Sequence, residues 1–222
     1  MPSGPASTFV IAIDGAAASG KGALAAGLAA HYDLPHLDTG LLYRAVGVAM
    51  LRAGADLGDA ERAEALARAL DLSRLDDPEL TSAIAGEAAS RVAALPAVRQ
   101  ALFQLQRDFA GRPGGAVLDG RDIGTVIAPD APAKLYVVAS PEVRARRRWL
   151  QTSARGETRT EAEILADLLK RDARDAGRAD APMQQAADAV LLDTTEMSIS
   201  TAFDEAYRHV EQARRRWEAL RG

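Results

Sequence analysis

A glycine-rich segment near the start of the chain has the composition of a phosphate-binding loop. It reads Gly15-Ala16-Ala17-Ala18-Ser19-Gly20-Lys21-Gly22 and lies between an apolar run, residues 9–13, and an alanine-rich stretch that begins at Ala23. A strand, a tight loop and a helix in that order turn several backbone N–H groups toward one point at the positive end of a helix dipole. Lys21 can then reach the β- and γ-phosphates of a nucleotide. The segment predicts a polyphosphate site; the alternative is a turn that only joins strand to helix.

A second polar cluster provides an acidic group that could act on a metal ion. Residues 119–125 read Asp-Gly-Arg-Asp-Ile-Gly-Thr and follow the apolar residues 116–118. In P-loop proteins an acidic residue at the end of a neighbouring strand commonly organises Mg²⁺. Gly22 replaces the serine or threonine that usually ligates this ion, so we expect no direct protein ligand, with Asp119 acting through water. Arg121 and Asp122 would project over the cleft; a polar turn with an internal ion pair is the alternative.

A third cluster, residues 38–44, combines a hydroxyl, a glycine and an arginine after a short apolar run. It reads Asp-Thr-Gly-Leu-Leu-Tyr-Arg. Arg44 could grip a phosphate with its planar fork of donors. The alternative is a helix capped by Asp38 or Thr39, followed by a surface arginine. These residues alone do not decide between the two.

Arginines are concentrated in the last third of the chain. Residues 171–178 read Arg-Asp-Ala-Arg-Asp-Ala-Gly-Arg, and the spacing predicts that Arg171, Arg174, Asp175 and Arg178 share one helix face. Ordinary salt bridges on a solvated helix are the alternative. Four more arginines precede them, Arg144, Arg146, Arg147 and Arg148. Seven arginines converging on one lid would supply the positive charge that phosphoryl transfer requires.

The bulk composition excludes several classes of protein. The 222 residues are 48% hydrophobic and 26% charged, which is typical of a globular protein with a core, and the net charge of −4 predicts no general affinity for nucleic acid or membranes. The absence of cysteine excludes disulfides and thiol chemistry. His31, His36 and His209 lack metal-ligand spacing. Residues 1–8 do not resemble a signal peptide. We therefore expect a cytoplasmic protein, acting as a monomer.

Five short apolar runs predict the strands that position these clusters. They are residues 9–14, 35–38, 115–118, 134–139 and 189–192. Helical segments between them indicate an α/β fold, a doubly wound five-stranded parallel sheet with helices on both faces. Ligands then lie at the carboxyl ends of the strands, where the clusters are.

Two insertions interrupt this alternation within a single predicted domain, residues 1–222. The first, 40–111, contains helical patterns at 59–70 and 87–109 with a polar break at 73–79. The second, 149–181, contains a polar loop at 151–160. Long excursions from a compact sheet are usually lids or binding loops.

The clusters together resemble the bacterial cytidylate kinases, which phosphorylate CMP and dCMP and belong to the nucleoside monophosphate kinases. Loops reading Gly-Lys-Gly are familiar in those kinases. The resemblance extends from residue 10 to about residue 207. It rests on residues 15–22, 38–44, 88–93, 98–99, 119–126 and 171–178.

The resemblance implies a role for each matching position. It implies an ATP site, used with Mg²⁺, at Gly15, Ala16, Ala17, Ala18, Ser19, Gly20, Lys21, Gly22, Ala23 and Arg147. It implies acceptor-phosphate contacts from Arg44, Arg121 and Arg178, cytosine contacts from Ser90, Arg99 and Asp122, and ribose contacts from Thr39, Arg171 and Asp175. Lys21, Arg121 and Arg178 would be catalytic. The insertions would be the monophosphate-binding region and the lid.

Two departures from the family pattern have expected consequences. Ala23 replaces the usual threonine and removes a hydroxyl near the α-phosphate, so we expect weaker ATP binding with activity retained. Residues 70–87 are shorter than in the long family form, which carries an extra strand-rich insert there.

Three other functions share part of this pattern. A kinase for AMP, shikimate or gluconate would share the loop but not a base-reading pair such as Arg99 and Asp122. A GTP switch should carry an Asn-Lys-x-Asp motif, which this sequence lacks. A nucleotide-binding module without catalysis would not need Lys21 or the arginines.

Overall fold

The computed structural model describes residues 8–221, in which five strands and eight α-helices alternate. The elements in chain order are β1 Val10–Gly15, α1 Lys21–Tyr32, β2 His36–Asp38, α2 Thr39–Arg52, α3 Ala60–Arg68, α4 Ala83–Val92, α5 Pro96–Ala110, β3 Ala116–Gly120, β4 Ala133–Val138, α6 Pro141–Ser153, α7 Glu161–Ala176, β5 Val190–Asp193 and α8 Ile199–Ala219. The α/β class predicted from the sequence is confirmed, and each predicted strand lies within two residues of an observed one.

The sheet is entirely parallel, with the strand order β2-β3-β1-β4-β5. In this order β1 is central: Asp14 is in register with Gly120 of β3 and with Tyr136 of β4. Asp38 is in register with Asp119. The carboxyl ends of the strands therefore meet at one edge of the sheet, where parallel α/β proteins bind ligands.

Side chains of β1 alternate between two apolar layers because successive residues of a strand point to opposite faces. Val10 and Ala12 belong to a cluster with α2, α3, α4 and α5. Ile11 and Ile13 belong to a second cluster with α1 and α8. Burial on both faces explains why the strand is a continuous apolar run rather than an alternating one.

The first insertion is helical, with one break that the sequence pattern missed. The helical pattern predicted at 87–109 is two helices, α4 and α5, because Pro96 cannot continue a helix and instead opens α5. The polar break at 73–79 contains two short 3₁₀ turns, Leu72–Arg74 and Pro78–Thr81. Arg52 at the end of α2 pairs with Asp77 and Glu79 and fastens this stretch to the helix.

The second insertion is a helical hairpin, α6 and α7. The polar loop predicted at 151–160 was wrong for its first three residues, which continue α6 to Ser153. The loop then ends at Thr160, whose side chain and Glu163 form a reciprocal cap at the start of α7. The expected insertion bounds, 40 and 149, lie inside α2 and α6, so the insertions grow out of helices rather than from separate linkers.

Within residues 8–221, no helix has the length and apolar character needed to cross a membrane. Residues 1–7, on which the signal-peptide expectation mainly depends, lie outside the described part of the chain.

Candidate active site

A cleft of about 630 Å³ opens at the carboxyl edge of the sheet, between the two insertions. Its walls include almost every residue that the sequence singled out. From the ATP set these are Ala17, Ala18, Ser19, Gly20, Lys21, Gly22, Ala23 and Arg147, and from the acceptor set Thr39, Arg44, Ser90, Arg99, Arg121, Asp122, Arg171, Asp175 and Arg178. Gly15 and Ala16 lie at the base of the loop and are not among the lining residues.

The glycine loop joins β1 to α1 with a backbone that two glycines make possible. Gly15 has φ 147°, and a Cβ there would lie 2.1 Å from the carbonyl oxygen of Val137 on β4. Gly20 has φ 96° and precedes α1, whose first residue is Lys21. The free N–H groups at the start of α1 therefore face the cleft, as phosphate-binding loops require.

Lys21, Asp119 and His36 form a chain of polar side chains beneath this loop. Lys21 Nζ lies 3.5 Å from Oδ2 of Asp119, and His36 Nε2 lies 2.8 Å from Oδ1. Burial and the nearby charge of Arg121 lower the pKa of Lys21. Burial by itself raises the pKa of Asp119, but Lys21 and His36 outweigh it and hold that pKa below its usual value. Asp119 is therefore an anion at neutral pH.

The residues here fit a hydrated Mg²⁺ bound chiefly by its substrate. Oδ2 of Asp119 is buried, and apart from the ion pair with Lys21 it has no hydrogen-bond partner among residues 8–221, so it can accept a hydrogen bond from water. Gly22 offers no hydroxyl, and its Cα faces the same Oδ2, which would lie 3.9 Å from an added Cβ. Mg²⁺ commonly keeps several waters and binds through substrate phosphates with few protein ligands.

A second charged group lies across the cleft, where Arg99 of α5 meets Asp122. Both side chains are 7% exposed, and they form a direct hydrogen-bonded ion pair. The guanidinium of Arg99 also lies 5.9 Å from the ring centre of Tyr43 and donates to its hydroxyl at 3.4 Å. Tyr43 thus fixes the orientation of Arg99 beside the open cleft.

Asp175 is the centre of the arginine cluster. It is 1% exposed, and one oxygen accepts from Nε of Arg121 at 3.1 Å while Arg178 donates to the other. Ser90 Oγ also donates to it at 3.2 Å, and Nε of Arg171 lies 3.8 Å away. Burial opposes ionisation of Asp175, but the arginines prevail and lower its pKa. One carboxylate therefore holds three arginines together at the wall of the cleft.

The positive charge of this wall exceeds what its carboxylates neutralise. Burial and repulsion by neighbouring arginines lower the pKa of Arg44 to about 10 and that of Arg171 to about 9. Arg44 donates to the carbonyl oxygens of Leu80 and Ser82 rather than to a carboxylate. Arg148 donates to the carbonyl oxygen of Thr81. An anion in the cleft would relieve the repulsion among these cations.

The hydroxyl of Thr39 and the guanidinium of Arg147 each bind a backbone carbonyl at the wall of the cleft. Thr39 Oγ1 donates to the carbonyl oxygen of Asp119 at 2.9 Å, while Asp38 caps α2 through Gly40 N. The cap foreseen as an alternative is therefore present, and Arg44 nevertheless reaches the cleft. Arg147 donates to the carbonyl oxygen of Ser19 at 3.3 Å and extends over the glycine loop.

The prediction that seven arginines converge on one lid was wrong, and so was the prediction that residues 171–178 present one helix face. Helix α7 ends at Ala176, because Gly177 terminates it, so Arg178 lies beyond the helix although it still contacts Asp175. Arg174 points to Glu87 on α4 instead. Arg144 pairs with Asp172 in the interior and Arg146 pairs with Glu161 at the surface. Of the seven arginines, the four that line the cleft are Arg147, Arg148, Arg171 and Arg178.

The sequence reasoning missed four residues that shape the site. His36, dismissed for lack of metal-ligand spacing, bonds Asp119; its position two residues before Asp38 on the adjacent strand was the available signal. Tyr43 and Thr194 orient Arg99 and Arg147. Asp14 was recognised only as the end of a strand, but it accepts two hydrogen bonds from the segment after Asp122.

Comparison with known proteins agrees with this geometry. A family model described as cytidylate kinase matches residues 11–212. The cytidylate kinase of Caulobacter sp. (strain K31) is 64% identical over 214 residues, which cover 96% of this chain and 99% of that protein. The cytidylate kinase of Rhodopseudomonas palustris (strain TIE-1) is 60% identical over 206 residues, covering 93% and 97%.

A solved structure shares the fold at low sequence identity. The crystal structure of an uncharacterized protein from Eubacterium ventriosum ATCC 27560 has a TM-score of 0.54 and 17% identity, and the match covers 92% of this chain and 99% of that one. The fold therefore tolerates wide sequence variation, whereas the curated relatives share most of their residues with this chain over nearly its whole length. This chain belongs to the cytidylate kinase family.

Proposed function

We propose that this protein transfers the γ-phosphoryl group of ATP to CMP or dCMP, giving ADP and CDP or dCDP, in pyrimidine nucleotide metabolism. The observation that carries the proposal is one cleft that holds both Lys21 at the glycine loop and the buried pair Arg99–Asp122. The first suits a nucleoside triphosphate and the second suits a base edge. Membership of the cytidylate kinase family supports the same substrates.

The donor nucleotide would bind at residues 15–23, with the N–H groups at the start of α1 and Lys21 around its phosphates. Arg147 lies over this loop, held by Thr194 at 2.6 Å, and would cover the phosphates from the other side. Mg²⁺, when bound with ATP, neutralises charge on the β- and γ-phosphates. Asp119 would hold one of its waters through Oδ2, which also faces Lys21.

The acceptor phosphate would bind among Arg44, Arg121 and Arg178. These side chains reach the cleft from α2, from the end of β3 and from the segment after α7, so they surround a point between the two nucleotides. Arg121 and Arg178 already share Asp175, which keeps them extended toward that point. Positive groups fixed in advance stabilise the charge on the moving phosphoryl group without reorganising during the reaction.

The base would lie against Arg99, Asp122 and Ser90. Cytosine carries an exocyclic amino group that donates to a carboxylate, and ring acceptors that suit an arginine. Asp122 provides the acceptor and Arg99 the donors. Thr39, Arg171 and Asp175 would contact the ribose. In this structure Thr39 and Asp175 already hold Asp119 and the arginines, so any ribose contact would use their remaining acceptor capacity.

The reaction needs no strong general base, because a nucleoside monophosphate is already an anion. It does need exclusion of water, since water would otherwise accept the phosphoryl group. Arg174 of α7 reaches Glu87 of α4 at 2.8 Å, which joins the second insertion to the first over the cleft.

Because the cleft is lined by residues of one chain, the protein would work as a monomer. Its nucleotide substrates would place it in the cytoplasm.

An acceptor panel tests the proposal. ADP release from ATP and Mg²⁺ would be measured with each ribo- and deoxyribonucleoside monophosphate. CMP and dCMP should be far better acceptors than AMP or GMP, because Ser90, Arg99 and Asp122 would contact the amino group and ring acceptors of cytosine, and the larger two-ring purines present such groups at different distances from the ribose. Equal kcat/KM for AMP and CMP would refute the assignment.

A further inference from the structure

Asp14 occupies a position that the proposed reaction does not use directly. It is the last residue but one of β1, next to Gly15 of the glycine loop, and its side chain is almost fully buried. Its two carboxylate oxygens accept from the backbone: Oδ1 from Ile123 N at 2.8 Å and Oδ2 from Gly124 N at 2.7 Å. Charge-assisted bonds to backbone N–H groups are among the stronger hydrogen bonds in proteins.

These two bonds replace a local cap. Residues Ile123–Ile127 form a short π-helical turn, and Asp122, the residue before it, makes no capping bond with its own side chain. An aspartate at that position ordinarily caps the following turn. Here the cap comes from Asp14, which lies more than a hundred residues earlier in the chain. The carboxylate of Asp122 is thereby left to pair with Arg99 and to face the cleft.

We propose that Asp14 is a positioning residue for acceptor recognition: by capping the turn that begins at Ile123, it orients Asp122 and Arg121 toward the bound monophosphate. The inference rests on the proposed function, because it assigns a base contact to Asp122 and a phosphate contact to Arg121. Asp14 touches neither nucleotide in this account.

The packing around Gly124 shows why the position of this turn depends on Asp14. A Cβ added at Gly124 would lie 3.4 Å from Oδ2 of Asp14 and 3.2 Å from Cδ of Lys134, so the turn sits closely between the two side chains. Lys134 is itself fastened to Asp188 at 2.8 Å. Gly124 is therefore packed closely against both the stem of Lys134 and the Asp14 carboxylate.

The substitution Asp14→Asn tests the role with little change in volume. An amide keeps one acceptor oxygen, but its NH₂ group opposes the second backbone N–H, so one of the two bonds is lost. We expect KM for CMP to rise about tenfold or more, in keeping with the loss of a charge-assisted bond. The UMP-to-CMP ratio of kcat/KM should rise, while KM for ATP stays within about twofold. Amide hydrogen exchange at Ile123 and Gly124 should become faster.

Two further variants keep the test decisive. Asp59→Asn is the matched control, since Asp59 caps α3 by accepting from Arg62 N at 3.0 Å, far from the base pocket; it should change none of these quantities. Gly124→Ala crowds the same turn against Lys134, whose Cδ would lie 3.2 Å from the added Cβ, and should raise KM for CMP in the same direction. It decides the matter if Asp14→Asn does not fold.

Unchanged KM and base preference in a folded Asp14→Asn protein would overturn the inference. A parallel rise of KM for ATP and for CMP would also overturn it, since Asp14 would then shape the glycine loop. A wild-type protein that forms no CDP would refute the proposed function, and with it the acceptor role of Asp14. Hydrogen exchange at Ile123 and Gly124 would still report separately whether Asp14 anchors the turn.

Discussion

Burying the ion pair Arg99–Asp122 costs free energy, and the packing around it gives no reason for that cost. Both side chains are buried, and Nε of Arg99 has no hydrogen-bond partner among the described residues. Buried ion pairs often contribute little net stability, because removing two charges from water is expensive. A second carboxylate, Asp180, lies 3.6 Å from the same guanidinium but is mostly exposed. The arrangement is understandable if a substrate completes it.

The substitution Asp122→Asn tests whether the carboxylate of Asp122 contacts the base. Asp122 should accept a hydrogen bond from the amino group of cytosine, and uracil presents a carbonyl oxygen there instead. A site built around a substrate N–H strongly rejects an analogue that lacks it. The asparagine can turn its amide and donate to uracil. We expect CMP activity to fall and the UMP-to-CMP ratio of kcat/KM to rise by about tenfold, or about 1.4 kcal/mol. A parallel fall for both substrates would assign Asp122 to folding or catalysis.

The ionisation of Asp14 should also make the free energy of unfolding depend on pH. Burial, only partly offset by its two backbone hydrogen bonds, raises the pKa of Asp14 to about 6. The folded state therefore binds this proton more tightly than the unfolded state, so its contribution to stability is greatest below about pH 4 and is lost as the pH rises through 6.

The comparison with Asp14→Asn isolates that contribution from those of other groups. The unfolding free energy of the wild type, minus that of the variant, should fall by up to about 3 kcal/mol between pH 4 and 7. Urea unfolding at several pH values would measure it. A difference that stays flat, or that rises with pH, would contradict the expected sign.

Among the elements, the glycine loop is the one whose function depends most on a single side chain. Lys21 is the residue of the loop that can place a positive charge on the β- and γ-phosphates, and it lies in the cleft with 14% of its side chain exposed. Lys21→Met should lower kcat by about two orders of magnitude or more, comparable to the loss of one donor to a transition state.

The fold should survive this substitution, because Lys21 faces the cleft rather than the apolar core. A melting temperature close to that of the wild type is the control. Turnover near that of the wild type would show that the loop is not the ATP site.

The five strands could be predicted from the sequence, because each strand is an apolar run that ends at a turn or an acidic residue. The boundaries of the helices in the insertions could not. The alanine-rich pattern at 87–109 continues through Pro96, although the chain bends there. Arg178 follows the spacing of α7 in sequence, but Gly177 ends that helix first. Helix ends depend on capping and tertiary contacts more than on periodicity.

The predicted site residues come together because parallel strands deliver their ends to one edge, a rule that needs no tertiary information. Their partners could not be predicted in the same way. The bonds from Asp14 to Ile123 and from His36 to Asp119 join residues about 80 to 110 positions apart. Nothing in local sequence records such contacts. The roles assigned to individual residues stay predictions until variants are measured.

At the scale of the whole molecule, an acidic protein carries a strongly basic cleft. The net charge is −4, yet Arg44, Arg121, Arg171 and Arg178 gather at one wall. Positive charge concentrated in a cleft attracts and orients anionic substrates without giving general affinity for polyanions. Two nucleotides bound side by side would bring their phosphates to this wall, and the contact between Arg174 and Glu87 would help to keep the insertions together around them.

The most direct test of the proposed phosphoryl transfer follows the fate of the phosphoryl group. With ATP and Mg²⁺, the wild-type protein would be assayed with and without CMP, and both CDP and free phosphate would be quantified. ADP formed with CMP should be matched mole for mole by CDP, and phosphate release without an acceptor should be slower by about two orders of magnitude or more. Phosphate released at the same rate with and without CMP, with no CDP formed, would contradict the proposed transfer.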